Sequence, residues 1–451
     1  MPHKLSWPRL LSEARPDRPA TLQTAPRPTI DEDERTAFER DHDRIVFSAP
    51  FRRLARKTQV HPLATNDHIH NRLTHSLEVA SVCRGFARRV GKLAREHSDL
   101  RGEDESKLGW ILQSACLIHD LGNPPFGHAG EEVVCAWTEK HADEMFAEER
   151  FENKDELTAA RANWLYFEGN AQGFRLASRA DNPEAGYLNL THATLGAAIK
   201  YPWTPTDERA AQKKKHNIYT TESAIFTAMA NDLGLTLSEG VCRHPLSFLT
   251  EAADDICYRI IDLEDAVEMG LQDTESVRQL FRKIAGNYAT SSMNLPQMRG
   301  YAIKALMDKL WQVFESEFDA IMNGERFEEL KSSLDRMTKD QLGEIKVKYD
   351  AIFGHSKKVA VELGAYHILG RILKALMKTV HAIHDSDTYK DVPFLSKRCA
   401  ELCWGRGYAE KHFEKSHTWW LSRMSDFVSG LTDNYATTLS GDIGGHSFFG
   451  R

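Results

Sequence analysis

The sequence predicts an all-α protein, and three observations carry that expectation. Apolar residues recur at helical spacing along most of the chain: Val79, Val82, Phe86, Val90 and Leu93 form one stripe, and Leu246, Leu249, Ala253, Ile256, Ile260, Leu263 and Val267 another. Residues three and four apart share a helix face, so each stripe marks a buried side. No alternating series rich in β-branched residues competes with them. With 451 residues, 41% of them hydrophobic, the chain can bury a sizeable core, and its length allows two or three domains.

Residues 1–30 are rich in Pro and Arg and lack periodicity, so an extended or weakly ordered arm is expected there. A folded domain is expected over 31–270, beginning near "DERTAFERDHDRIVFSAPFRRLARKTQV", and a helical C-terminal region packed on it over 271–451. Within the first of these, "DNPEAGYLNLTHATLGAAIKYPWTPTDERAAQKKKHN" is richest in turn formers and reads as a long loop region flanking a short helix. Its lysine run reads as a solvated face. "SGDIGGHSFFGR" reads as a loose tail. No repeat period and no long heptad array is visible.

Bulk properties exclude several function classes. The formal charge of -7 leaves no global basic footprint, so a nucleic-acid contact would need a local patch, whereas small polar substrates fit. No unbroken apolar stretch approaches a membrane span, and the prolines and charges of "MPHKLSWPRLLSEARPDRP" interrupt any signal-like segment, so a cytoplasmic location is expected. Seven scattered cysteines, with Cys399 and Cys403 lacking a second pair at zinc-site spacing, read as reduced thiols.

The stretch that carries chemistry is "LGWILQSACLIHDLGNPPFGHAGEE". Its first half is apolar nearly all round, which marks a buried helix, and His119 and Asp120 close that helix before a Gly/Pro break. Buried ionisable groups need partners. Alone, the pair reads as a core histidine followed by a C-terminal aspartate. A divalent metal is the other reading, since neutral imidazole and carboxylate are good ligands for Mg, Mn, Fe, Co, Ni or Zn.

Further candidate ligands favour the metal. His75 in "NRLTHSLEVASVC" lies four residues before Val79 on the apolar stripe, so it faces the interior. In "LTEAADDICYRIIDLEDA", Asp255 shares the polar face with Glu251 and Arg259, where an i,i+4 pair to the arginine suffices to explain it. Asp254 borders the apolar stripe and is the better interior ligand. Two histidines and two carboxylates leave positions for water or phosphate oxygens, unlike a closed structural zinc site, and this favours catalysis. His128 and Glu131, three residues apart after "GNPPFG", share a face of the next helix, where the carboxylate can hold the imidazole for proton transfer. The blander reading is a glutamate at a helix N-terminus beside a solvent histidine. No G-x-x-x-x-G-K-[ST] loop occurs, so phosphate charge would be met by Arg, Lys and metal.

The order His75, His119-Asp120, Asp254, together with "FRRLARKTQV", "NDHIHNRLTHS", "HDLGNPPFGHAGEE", "FEGNAQGFR" and "EAADDICYRIIDLEDAV", resembles the deoxynucleoside triphosphate triphosphohydrolases, the dGTPase group of the HD phosphohydrolase superfamily. The likeness covers most of residues 35–270. It implies an HD-type helical bundle with additional C-terminal helices, and hydrolysis of a dNTP, dGTP foremost, to a deoxynucleoside and inorganic triphosphate. By this resemblance His75, His119, Asp120 and Asp254 would hold a divalent ion (Mg, Mn, Fe, Co or Ni), and His128 with Glu131 would be the catalytic pair. Gln59 and Asp262 would contact the sugar 3′-hydroxyl, Tyr258 would pack under the deoxyribose, and Arg72, Lys200 and Tyr201 would face the triphosphate, with Asn170 a further pocket candidate. It also implies a homo-oligomer, a hexamer by analogy, and a dNTP or single-stranded DNA as effector. The rival readings are an HD phosphohydrolase acting on another nucleotide, and a nucleotide- or nucleic-acid-binding regulator.

The residues alone support part of this. Asp254, Tyr258 and Asp262 recur every four positions, so they lie along one slowly drifting helix face and would line one pocket from metal to sugar. Taken by itself, Tyr258 reads as an ordinary half-buried core tyrosine.

Overall fold

The computed structural model describes residues 3–16, 34–59, 69–180, 186–290, 292–353 and 356–445. Among them are 22 α-helices and one two-stranded hairpin, Thr236–Leu237 against Gly240–Val241, so the all-α expectation is met. Helices continue beyond residue 270, from Thr274–Ala285 to Asp433–Ile443.

Three helices position the site. Arg72–His97 starts at an Asn71 N-cap whose side chain accepts from the Leu73 and Thr74 amides, and it buries the face carrying His75, Val79, Phe86 and Val90. Glu105–Ile118 packs along it and is buried over most of its second half, as its apolar sequence requires. Pro245–Glu268 crosses both, with proline in its first turn, where a missing N–H costs nothing. Their shared apolar face, with the helix Leu295–Ser316 added, forms the larger core.

A second apolar cluster joins Val134 and Trp137 of His128–Lys140 to Leu369, Leu373 and Leu376 of Ser356–His384 and to Trp420 and Leu439 of the last two helices, His417–Gly430 and Asp433–Ile443. The cavity described below draws its walls from both clusters.

The N-terminal arm differs from the expectation of a weakly ordered stretch in its first part. Leu5, Trp7, Leu10 and Leu11 are buried, Trp7 completely, and the Trp7 amide donates to Asp99 Oδ1 at 2.9 Å. Four large apolar side chains within seven residues outweigh the neighbouring prolines and charges. Residues 17–33 lie outside the described residues. The turn-rich segment holds two short helices, His192–Ala198 and Glu208–Lys213, rather than one, and its residues 181–185 also lie outside the description. Of the expected tail, 440–443 finish the last helix and 446–451 are outside it.

Candidate active site

His75 lies one turn into its helix, His119 caps the end of Glu105–Ile118, and Asp254 sits near the middle of Pro245–Glu268. Packing these helices together brings one donor atom from each within 4.8 Å of the others. His75 Nε2 is 3.2 Å and His119 Nε2 3.5 Å from Asp254 Oδ1. His119 Nδ1 lies 2.6 Å from the Cys116 carbonyl oxygen. That contact places the proton on Nδ1, so Nε2 turns its lone pair toward the cluster, the arrangement metal-binding histidines use.

Asp120 stands beside this cluster rather than within it. Arg72 Nη1 is 2.8 Å from Asp120 Oδ2, His119 Nε2 is 3.5 Å from the same oxygen, and Asn123 Nδ2 donates to Oδ1. Two inward imidazole nitrogens, the Asp254 carboxylate and the adjacent Asp120 carboxylate are a donor set whose chemistry fits a divalent cation.

The electrostatics follow from burial and pairing. Burial works to raise the Asp254 carboxyl, but the charge of Lys200 foremost, with the His119 and His75 imidazoles beside it, overcomes burial and holds the group well below the usual carboxylate range. Asp120 is likewise held below its ordinary value against burial, chiefly by Arg72 and then His119. Burial pulls His75 down, and the hydrogen bond it donates to Asp254 more than restores it, leaving it above its ordinary value.

The second constellation lies across the same cavity. His128 opens the helix His128–Lys140 after two successive residues with positive φ, Phe126 at 67° and Gly127 at 59°. Gly127 suits this turn twice over, since a Cβ there would also come within 2.7 Å of Arg72 Nη2. His128 Nδ1 is 2.8 Å from Glu131 Oε2, and the imidazole is otherwise largely exposed. Glu131 Oε1 accepts from the Gly169 amide at 2.9 Å. Burial opposes ionisation of Glu131, but the His128 hydrogen bond and the Lys215 charge hold it below its ordinary value.

Of the thirteen residues singled out in the sequence, twelve line one cavity of about 790 Å³, and Asp262 does not. Asp262 is 1% exposed; its charge adds to burial in pushing the Tyr258 hydroxyl up to about 12. Gln59 Oε1 is buried on the wall with no hydrogen-bond partner among the described residues. Lys200 Nζ donates to Asp254 Oδ2, and Asn170 Nδ2 to Glu168 Oε1. Tyr201 completes the wall beside Lys200.

Asp255 departs from the expected pairing. It lines the cavity and bonds Lys331 at 3.0 Å, while Glu251 pairs with Arg243 at 2.9 Å. Lys331 takes the close ion-pair position on Asp255, and Arg259 acts on the carboxylate only as a more distant charge.

Two charged residues and an apolar rim of the cavity were missed. Lys215 belongs to the lysine run read as solvated, yet its Nζ bonds Glu168 Oε1 at 2.7 Å and lies 3.8 Å from Glu131 Oε2. The residues after it, His216 and Asn217, are buried, and their place directly behind three lysines was the available signal that the chain turns inward. Glu168 caps the helix Gly169–Ser178 by accepting from the Asn170 amide. Val359, Leu363 and Tyr366 form an exposed apolar rim on the cavity, and nothing local in their sequence foretold it.

The comparisons point the same way. The HD domain family model matches residues 72–191. The chain is 36% identical to a deoxyguanosinetriphosphate triphosphohydrolase-like protein of Pseudomonas aeruginosa (strain LESB58), over 98% of this chain and 99% of the relative. It is 34% identical to a protein of the same name from Synechocystis sp. (strain ATCC 27184 / PCC 6803 / Kazusa), over 92% and 95%. A deoxyguanosinetriphosphate triphosphohydrolase of Serratia proteamaculans (strain 568) is 30% identical over 88% of this chain and 92% of its own.

Proposed function

The chain belongs to the deoxyguanosinetriphosphate triphosphohydrolase-like family of HD-domain proteins, and from that premise we propose that it is a metal-dependent hydrolase of dNTPs, dGTP foremost, releasing deoxynucleoside and inorganic triphosphate. The observation that carries this reading is the convergence, on one cavity, of the His75, His119 and Asp254 cluster with the His128–Glu131 pair. A divalent ion held by these three residues, with Asp120 as a fourth ligand, supplies Lewis-acid polarisation of a phosphoryl oxygen when bound.

The chain's own residues do the rest. Arg72 and Lys200 carry the positive charge that receives the triphosphate, and Tyr201 and Asn170 line its path. Water attacks the α-phosphorus; its oxygen bonds phosphorus as the bond to the nucleoside 5′-oxygen breaks, and the three phosphates leave together. With Nδ1 held by ionised Glu131, His128 Nε2 is the proton-moving atom, taking the water proton or delivering one to the departing 5′-oxygen. Tyr258, one turn past Asp254, offers a flat ring to the sugar, and the buried Gln59 Oε1, which has no partner among the described residues, accepts from its 3′-hydroxyl.

Incubating the metal-loaded protein with each dNTP, singly and mixed, and identifying products tests the reading. Inorganic triphosphate with free deoxynucleoside is expected. Orthophosphate or a nucleoside monophosphate would place the chain instead with HD phosphohydrolases of another substrate.

A further inference from the structure

Asp433 opens the last helix, Asp433–Ile443, yet its carboxylate does not serve that helix. The cap is Thr432, whose hydroxyl accepts from the Tyr435 amide at 3.3 Å. Asp433 is 2% exposed, and both of its oxygens accept from chain segments more than 300 residues away. Oδ1 accepts the Phe126 amide at 2.9 Å; Oδ2 accepts the Thr58 amide at 2.9 Å and also the Thr58 hydroxyl. Thr58 and Phe126 both line the cavity.

Each partner borders a group assigned to the reaction. Phe126 holds a φ of 67°, a left-handed conformation that a non-glycine residue keeps only where its surroundings fix it. Gly127 follows in the same region, and His128 comes next. The direction in which the imidazole emerges is therefore set by this turn. On the other side, Thr58 precedes Gln59 and bridges to Asn71, the cap of the helix that carries Arg72 and His75. Lys57 reinforces the joint, its Nζ donating to the carbonyls of Asn123 at 2.7 Å and Ser429 at 2.5 Å.

We infer that Asp433 is a positioning residue that clamps the Phe126–Gly127 turn to the Thr58 strap and so fixes His128 relative to the metal cluster. The inference rests on the proposed role of His128. Its carrier is one buried carboxylate with three donors from the two walls of a single cavity.

The test compares Asp433→Asn with Thr432→Ala, each alone and with His128→Ala. Asparagine keeps the volume but has a single oxygen, so it cannot serve Phe126 and Thr58 together. With dGTP as substrate, Asp433→Asn is expected to lower kcat roughly tenfold to hundredfold with KM within about twofold, the scale of a misplaced catalytic group. Thr432→Ala, which weakens the same helix, should keep kcat. In the His128→Ala background Asp433→Asn should cost nothing further, because it acts through the missing imidazole. Equal losses in both backgrounds, or equal losses for Asp433→Asn and Thr432→Ala, overturn the inference. Amide exchange separates this from a failure of the functional reading: whatever the substrate, Asp433→Asn should speed exchange at the amides of 126–128 while Thr432→Ala does not, and unchanged exchange overturns the clamp. If Asp433→Asn does not fold, Thr58→Val, which removes one of the three donors, should show the same pattern with a smaller loss, and a Thr58→Val protein of wild-type kcat and exchange overturns it.

Discussion

Lys200 Nζ donates to Asp254 Oδ2 at 2.6 Å, so the cation expected to face the triphosphate is bonded to the carboxylate expected to hold the metal. A divalent ion and Lys200 therefore compete for one anion, and a triphosphate arriving at the cavity gives the ammonium an alternative partner. Lys200→Met should act on the two ligands with opposite sign. Metal affinity, read by calorimetric titration, should rise roughly tenfold, about 1.4 kcal/mol, as a competing positive charge is removed. KM for dGTP should rise by at least a similar factor. Parallel weakening of both would show that Lys200 only shapes the cavity.

Lys215 yields a prediction in pH. Its charge helps hold Glu131 below the ordinary carboxylate value against burial, together with the His128 hydrogen bond. Removing it in Lys215→Met should raise the Glu131 pKa, so the carboxylate that orients His128 is lost at a higher pH. The acid limb of the kcat/KM profile should move upward. Stability follows the same sign: a depressed carboxyl contributes stability above its unfolded value near 4.3 and loses it as pH falls through the lower folded value, and the variant should lose part of that contribution. An acid limb unmoved in Lys215→Met would remove Glu131 ionisation from the rate law.

What the sequence disclosed and what it withheld divide along physical lines. The helix stripes, the inward faces of His75 and Asp254 and the i,i+3 pairing of His128 with Glu131 are local periodicities, readable within one turn of helix. The partners of Asp255 and the inward turn at Lys215 depend on side chains from other elements, Lys331 and Glu168, which no local pattern specifies. Asp262 shows the limit of face arithmetic. Its spacing from Asp254 is right, but eight residues along a helix of 3.6 per turn drift by roughly 80°, enough to carry it off the cavity wall. Asp433 lies further out of reach, since its donors are separated from it by 307 residues and 375 residues.

His70 supplies a stability prediction at the alkaline end. Its Nδ1 lies 2.5 Å from Asp265 Oδ1 and its Nε2 3.0 Å from Glu78 Oε1. Burial favours the neutral ring, but the two carboxylates outweigh it and raise the pKa from 6.5 to about 10. A raised folded value contributes stability that is complete below the unfolded pKa and is lost as pH rises through the folded one. Thermal unfolding of the wild type should therefore fall in midpoint between pH 6.5 and about 10, and His70→Gln should flatten that decline. A variant with the same pH slope would mean that the ring is neutral in the folded protein.

Sugar choice is the sharpest test of the substrate reading. Tyr258 is half-buried on the cavity wall one turn past Asp254, so a triphosphate anchored at the metal cluster brings its sugar to the ring. A flat aromatic face has no partner for a 2′-hydroxyl, and a ribonucleotide must bury that group unsatisfied or draw its α-phosphorus away from the cluster. Either costs on the order of 1 to 3 kcal/mol, roughly tenfold to hundredfold in kcat/KM. The 3′-hydroxyl acts in the opposite sense, because the buried Gln59 Oε1 has no other partner among the described residues and gains a donor when the sugar binds. Dideoxy-GTP should be a poor substrate of the wild type and should lose its disadvantage in Gln59→Ala. Asp262, off the cavity wall, should enter only through Tyr258, so Asp262→Asn should change the dGTP to GTP ratio less than Tyr258→Ala does. Measuring kcat/KM for dGTP, GTP and dideoxy-GTP across these variants decides it: equal hydrolysis of GTP and dGTP by the wild type, or a ratio untouched by Tyr258→Ala, would leave a general nucleotide phosphohydrolase in place of a deoxynucleotide enzyme.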